Sequence, residues 1–92
     1  MNGLLITPEA SVTELVPANG RDFTLEELQK SVGGCIQILD LTEKSIMVVN
    51  EDGKGRLYPN MMATVIAKAS NAILPWDYIA GNAVMCASDM VK

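Results

Sequence analysis

Histidine is absent from this 92-residue sequence and cysteine occurs only twice, so the side chains that most often carry acid–base and metal chemistry at neutral pH are scarce. Histidine-dependent catalytic triads and histidine metal sites are excluded. Cys35 and Cys86 lie far apart without CxxC spacing, which argues against zinc, and both sit in apolar segments that predict buried free thiols. An enzyme with a cysteine nucleophile lacks the base such a thiol needs. We expect no enzyme, no metal and no cofactor.

Long apolar runs and basic runs are also missing. The apolar stretches 46–49 and 61–66 are much shorter than the roughly 20 residues of a membrane helix, and no basic, apolar leader opens the chain. Seven basic residues are scattered among eleven acidic ones, for a net charge of -4, so no continuous basic surface is expected to bind duplex nucleic acid. A protein mimic of DNA would carry denser acidic runs than 26–27 or 51–52. The sequence predicts a cytoplasmic protein.

Enough apolar residues are present for a globular core. Hydrophobic residues make up 49% of the chain, which is too high a share for a disordered protein. The chain shows no internal repeat and no linker, and its length is that of one small domain. We therefore predict a single domain over residues 1–92.

The first half of the chain predicts a hairpin followed by a helix. Segments 4–7 and 12–16 are rich in β-formers and are separated by a turn sequence. Thr24 is followed three residues later by Glu27, the pattern of a reciprocal capping box, and Phe23 and Leu28 occupy the positions of a hydrophobic staple. These signals predict a helix that begins at Leu25, buries Leu25, Leu28 and Val32, and ends at Gly33-Gly34.

The second half predicts two paired strands, a helix and a final strand. Segments 35–41 and 45–50 form the strand pair, and a polar, glycine-bearing turn follows over 50–55. Asn60 is a plausible cap for a helix from Met61 to about Ser70, and 78–87 predicts a strand interrupted at Gly81-Asn82. The order ββαββαβ favours an α+β fold, with a mostly antiparallel sheet and both helices on one face.

One polar constellation between the fourth strand and the second helix is a candidate ligand-binding site. Cationic side chains beside a helix N-terminus can hold an anion, and a phosphate-bearing ligand fits this pattern. The simpler alternative is a surface turn with Asn60 as cap, since no glycine-rich phosphate loop is present. Tyr58 and Trp76 can stack on a base or serve as core residues. The candidate ligand-binding residues are Asn50, Lys54, Arg56, Tyr58 and Asn60.

Methionines suggest self-association. Met61, Met62, Met85 and Met90 either fill an irregular core or form an adaptable binding surface. Because a small domain does not bury all of its apolar residues, we expect part of this surface to meet another copy of the chain. The predicted assembly is a homo-oligomer.

Several blocks of the sequence form a recognisable pattern: NGRDFTLEELQ at 19–29, VGG at 32–34, MVVNEDGK at 47–54, Asn60 with Ala63-Thr64, and Gly81-Asn82. These blocks resemble an uncharacterised small domain family encoded mainly by phages, plasmids and other mobile elements of bacteria. The similarity runs from about residue 4 to residue 86. Many members have an aromatic residue after the paired glycines, where this chain has Cys35.

The resemblance brings no established activity and implies only a setting, a bacterial host cell invaded by a mobile element. Small proteins of such elements often inhibit host defence, either by trapping nucleotide signals or by covering a host protein. The leading hypothesis is a non-enzymatic homo-oligomer that sequesters a small phosphorylated nucleotide. The alternative is a protein-binding module that blocks a host protein through its acidic surface.

Overall fold

The computed structural model describes residues 2–91 as one antiparallel sheet with two α-helices. The strands lie side by side in the order β2-β1-β5-β4-β3, and every neighbouring pair is antiparallel. The predicted α+β class and the order ββαββαβ are confirmed. The elements are β1 (Gly3–Ile6), β2 (Val12–Leu15), α1 (Leu25–Val32), β3 (Ile36–Asp40), β4 (Ser45–Asn50), α2 (Met61–Ala69) and β5 (Ala83–Ala87).

The start of α1 follows the capping pattern in the sequence. The Thr24 hydroxyl accepts a hydrogen bond from the Glu27 amide, and the Glu27 carboxylate accepts one from the Thr24 amide. Phe23 and Leu28 are buried in one cluster, as a staple requires. Leu25 was expected in the core, but its side chain is 54% exposed, so only Leu28 and Val32 bury the inner face of the helix.

The two helices lie on opposite faces of the sheet, which corrects the expectation that they share one. Alternate residues of a strand point to opposite faces, and Ile46 and Val48 pack with α1 while Met47 and Val49 pack with Ala63 and Ala67 of α2. The unbroken apolar run of β4, Ile46 to Val49, is buried along its whole length, which is typical of a strand covered on both sides. The chain connections are compatible with helices on opposite faces. Helix α1 connects the two outer strands, β2 and β3, and α2 connects the neighbouring strands β4 and β5.

The last strand is shorter than predicted. The expected strand over 78–87 begins only at Ala83, because Gly81 adopts a φ of 83° that interrupts extended backbone. Before it, the amide of Asn60 donates to the carbonyl of Ile79, and the amide of Gly81 donates to that of Tyr58. Residues 78–80 are thereby bonded to the segment that precedes α2, and a short 3-10 helix, Ser88–Met90, follows β5.

Candidate binding site at one end of the sheet

The five predicted site residues lie at one end of the sheet, but they do not form one site. Asn50 is the last residue of β4 and Asn60 is the N-cap of α2, and both are buried. Lys54, Arg56 and Tyr58 lie between them on an exposed turn, where the amides of Arg56 and Leu57 donate to the carbonyl of Gly53. The structure therefore separates two interior asparagines from three surface side chains.

Asn50 holds backbone in place. Its amide nitrogen donates to the carbonyl of Val32, at the end of α1, and its amide oxygen accepts from the amide of Asp52. Gly34 makes room for it, because a Cβ at Gly34 would lie 3.0 Å from the Asn50 amide nitrogen. The side chain is 7% exposed. These contacts give Asn50 a structural role, and Asn50 is not among the residues that line the open cleft beside Arg56 and Tyr58.

Asn60 has a similar role in the interior. Its amide nitrogen donates to the carbonyls of Ile6 and Gly81, each at 2.9 Å, and its amide oxygen accepts from the amide of Ala63. The predicted N-cap is therefore confirmed. The residue has no exposed surface, and its side-chain hydrogen bonds are made to the backbone of the fold.

Lys54 has a partner that the sequence did not reveal. Its ammonium group forms an ion pair with Asp77 and lies 5.7 Å from the centre of the Tyr78 ring. The hydrogen bond from Lys54 lowers the pKa of the Asp77 carboxyl, against the opposing effect of partial burial. Much of the Lys54 charge is thus already compensated. Nothing in the spacing of 23 residues between the two predicted this pair.

Arg56 and Tyr58 line an open cleft of about 500 Å³ that is shared with Tyr78. Small-molecule sites commonly occupy roughly 300–1,000 Å³. Tyr58 is 79% exposed, and so is Trp76 on the neighbouring segment. Lys54–Asp77 is the one ion pair among residues 2–91, so Arg56 is the cation at this end without an acidic partner in the described chain.

The basic and aromatic residues of segments 54–58 and 76–78 therefore lie at one end of the molecule, and Trp76 is the one aromatic residue among them that does not line the cleft. The sequence has four aromatic residues, and Phe23 is the one in the core. The sequence singled out Tyr58 and Trp76 but missed Tyr78 and Asp77, whose proximity depends on the pairing of Pro59 with Ala80. We call this surface the aromatic–basic end: Lys54, Arg56, Tyr58, Trp76 and Tyr78.

A second cavity lies beside the aromatic–basic end. It measures about 100 Å³, its walls include Glu51 and Asp77, and the predicted site residues Asn50 and Lys54 both border it, as does Tyr78. Its volume is well below the roughly 300 Å³ at which small-molecule sites begin. The open cleft is therefore the better candidate for a ligand of nucleotide size.

The cysteines differ from each other in environment. Cys86 is buried as predicted, and burial, assisted by the negative charge of Asp89, raises the pKa of its thiol. Cys35 is exposed, which contradicts the expectation of a buried thiol. Within residues 2–91, no three His, Cys, Asp or Glu side chains are grouped so as to hold a metal ion, and no helix is long and apolar enough to cross a membrane.

Comparison with known proteins gives the chain a family. A family model described as a domain of unknown function, DUF3846, matches residues 1–90. The chain belongs to the DUF3846 family. No curated protein and no solved structure matches this DUF3846 domain.

In this DUF3846 domain, two of the asparagines and two of the glycines in the blocks described above meet at the same end of the sheet and hold the backbone together. Asn50 with Gly34 fixes the end of α1, and Asn60 with Gly81 fixes the start of α2. A Cβ at Gly81 would lie 2.6 Å from a methyl carbon of Leu57. These contacts give Gly34, Asn50, Asn60 and Gly81 a role in the framework of the domain.

Proposed function

We propose that the domain is a non-enzymatic, homo-oligomeric binding protein that takes up a small phosphorylated nucleotide at the aromatic–basic end. The observation that carries this proposal is the gathering of three aromatic side chains and two basic ones on two adjoining segments, 54–58 and 76–78. Aromatic faces stack on any base, and a guanidinium binds phosphate through two parallel hydrogen bonds.

Arg56 is the main phosphate-binding group in this proposal. Lys54 is held by Asp77, so it orients the turn and adds a weaker, compensated charge. Tyr58 and Trp76, each 79% exposed, supply faces for the base. Asn50 and Asn60, which the sequence placed among the ligand-binding residues, keep the two segments in position from the interior.

The scarcity of side chains that can act as acids, bases or nucleophiles near neutral pH suits a protein that sequesters its ligand. The sequence has no histidine, and the pKa of the Cys86 thiol is raised, which disfavours the reactive thiolate. The resemblance to domains of phages and plasmids supports a cytoplasmic role in a bacterial host. We propose that the bound nucleotide is a signal of host defence and that its removal inhibits that defence.

The test is a binding measurement with matched charge reversals. Native mass spectrometry with a nucleotide library identifies a ligand, and calorimetry then measures its affinity for Arg56→Glu and for Arg21→Glu. Arg21 is also exposed and lies on a different loop, so both variants carry the same change in net charge. We expect Arg56→Glu to weaken binding by more than about tenfold and Arg21→Glu to have little effect, because reversal removes a charge-assisted hydrogen bond and adds repulsion. Equal effects would show that the phosphate lies elsewhere.

A second candidate function is the blocking of a host protein through the same end. Trp, Tyr and Arg are the residue types that dominate protein interfaces energetically. Trp76 and Leu74, two positions apart in the sequence, are 79% and 55% exposed. The two functions differ in which side chain contributes most to binding. Trp76→Ala should abolish binding to a protein, with Arg56→Glu having the smaller effect, whereas nucleotide binding depends first on Arg56 and weakens with added salt.

A further inference from the structure

Helix α2 is apolar on its outer side as well as its inner side. Ala63, Thr64 and Ala67 are buried against the sheet, yet Met61 and Val65 on the outer side are 66% and 62% exposed. A surface helix of a globular protein normally places charged and polar residues outward, and a helix that is apolar all round is normally buried. The outer side of α2 therefore has the composition of a covered surface.

The sheet has a matching uncovered area beside α2. A helix is about 10 Å wide and strands are about 4.8 Å apart, so one helix covers about two strands. On this face Ile6 of β1 is buried, but its cross-strand neighbour Val12 is 46% exposed and Leu4 is 38% exposed. Glu14, opposite Leu4, is exposed on the same face. We call Leu4, Val12 and Glu14 the β1–β2 shelf.

The orientation of α2 is fixed by hydrogen bonds at its sides and end. Its N-cap binds the carbonyl of Ile6, and Ala63 and Ala67 share the cluster on this face, so the helix runs back over the sheet toward Leu4. The Thr64 hydroxyl accepts from the amide of Ile79, which places segment 72–80 on one side of the helix. Successive residues of a helix are turned by about 100°, so Met62, two residues before Thr64, lies on the opposite side of the helix, toward the shelf.

We propose that a second copy of the chain covers both surfaces in a symmetric dimer. A two-fold axis parallel to α2 and above the shelf sets the two helices side by side in one layer between the two sheets. Met61 and Val65 of each copy then rest on the partner's shelf, and the Met62 side chains face each other. Each copy uses one self-complementary surface, as two-fold symmetry requires.

Charge complementarity favours a second copy over a different partner. The outer side of α2 has one charged residue, Lys68, and the shelf has one, Glu14, and neither forms an ion pair within residues 2–91. Rotation about a two-fold axis parallel to α2 leaves the position of each residue along the helix direction unchanged. Lys68, near the C-terminal end of α2, therefore lies over the end of the partner's shelf that carries Glu14. The dimer thus contains two reciprocal Lys68–Glu14 pairs.

The inference rests on the homo-oligomeric part of the proposed function and is independent of the ligand. Sedimentation velocity at micromolar concentrations should show a dimer. Val65→Glu and Met61→Glu should weaken dimerisation by at least about tenfold, because each buries an unpaired carboxylate in the interface. Leu25→Glu is the matched control, since Leu25 is an exposed apolar residue on the helix of the opposite face. Circular dichroism checks the fold of every variant.

A charge exchange tests the arrangement itself. Lys68→Glu and Glu14→Lys alone should each weaken the dimer, and the double variant should restore it. Lys68 also acts electrostatically on Asp77 within its own chain, and only the recovery in the double variant reports the contact between copies. A monomeric wild-type protein, a dimer insensitive to Val65→Glu and Met61→Glu, or a double variant without recovery would each overturn the inference. Nucleotide binding measured on the same samples decides the proposed function separately.

Discussion

The side-chain amide nitrogen of Asn60 lies 2.9 Å from the carbonyl oxygen of Ile6, although the two residues are 54 positions apart in the sequence. The same nitrogen also reaches the carbonyl of Gly81, so one buried side chain ties α2 to both β1 and the start of β5. Asn60, which the sequence predicted as a ligand-binding residue, thus connects the start of α2 to β1 and to the segment just before β5.

Asn60→Ala should destabilise the domain severely. The substitution leaves the carbonyls of Ile6 and Gly81 and the amide of Ala63 without their partner, at a cost of about 1–3 kcal/mol for each buried group that stays unsatisfied. Urea denaturation measures the loss. Asn82→Ala is the control, because it removes a single partly buried bond to Ser31 and should cost about 1 kcal/mol. Similar midpoints for the two variants would contradict the role assigned to Asn60.

Thr24→Ala should reduce the stability of α1. It removes the hydroxyl that caps the Glu27 amide, and such a loss typically costs about 0.5–2 kcal/mol. Chemical denaturation gives the change in unfolding free energy. Glu26→Gln serves as a neighbouring control, and a midpoint for Thr24→Ala equal to that of the control would show that the cap contributes nothing.

Acidification should weaken the domain partly through Glu27. Hydrogen bonds from the backbone amide of Thr24, and then from that of Ala18, lower the pKa of its carboxyl below the ordinary value of 4.5. A lowered folded-state pKa contributes stability above the unfolded pKa, and this stability is lost as pH falls through the folded value. Glu27→Gln should therefore show a flatter dependence of stability on pH below about 4.5 than the wild type. Parallel curves from thermal melts across this range would disprove the linkage.

Gly53→Ala should be more harmful than Gly20→Ala. A Cβ at Gly53 would lie 2.8 Å from the carbonyl oxygen of Ala80, which belongs to a backbone held by the pairing with Pro59. We expect a loss of about 1–3 kcal/mol from this overpacking. Gly20 has a φ of 78° in open space, so alanine there meets strain without a clash and should cost about 1 kcal/mol. Thermal unfolding compares the two, and the opposite ranking would contradict the close approach at Gly53.

Lys54→Met tests whether the aromatic–basic end depends on one cation or two. Because Lys54 is paired with Asp77, its removal should lower nucleotide affinity less than the matched neutralisation Arg56→Met does. A double-mutant cycle with Asp77→Asn should give a coupling of about 0.2–1 kcal/mol in stability, as for other exposed ion pairs. A larger loss of affinity for Lys54→Met than for Arg56→Met would move the phosphate to Lys54.

Local signals in the sequence determined the elements of this protein. The Thr24–Glu27 box and the Asn60 cap set the starts of both helices, because capping depends on residues within one turn. The β-branched run of β4 and the polar turn after it were also recognisable, and they led to the correct class and order. Segment 54–60 was recognisable in the same way as a polar stretch next to a helix start. Its local sequence did not show which of its side chains point outward.

Tertiary structure alone decided which face of the sheet each helix covers, which distant residues bond to each other and which side chains are exposed. Whether Ile46 and Met47 meet one helix or two depends on which face each connection crosses, which periodicity within a strand does not specify. The Lys54–Asp77 pair and the bonds from Asn60 to Ile6 and Gly81 join residues that are distant in the chain. Local propensity determines φ and ψ over a few residues, whereas the direction of a side chain, inward or outward, is determined by what the rest of the chain places beside it.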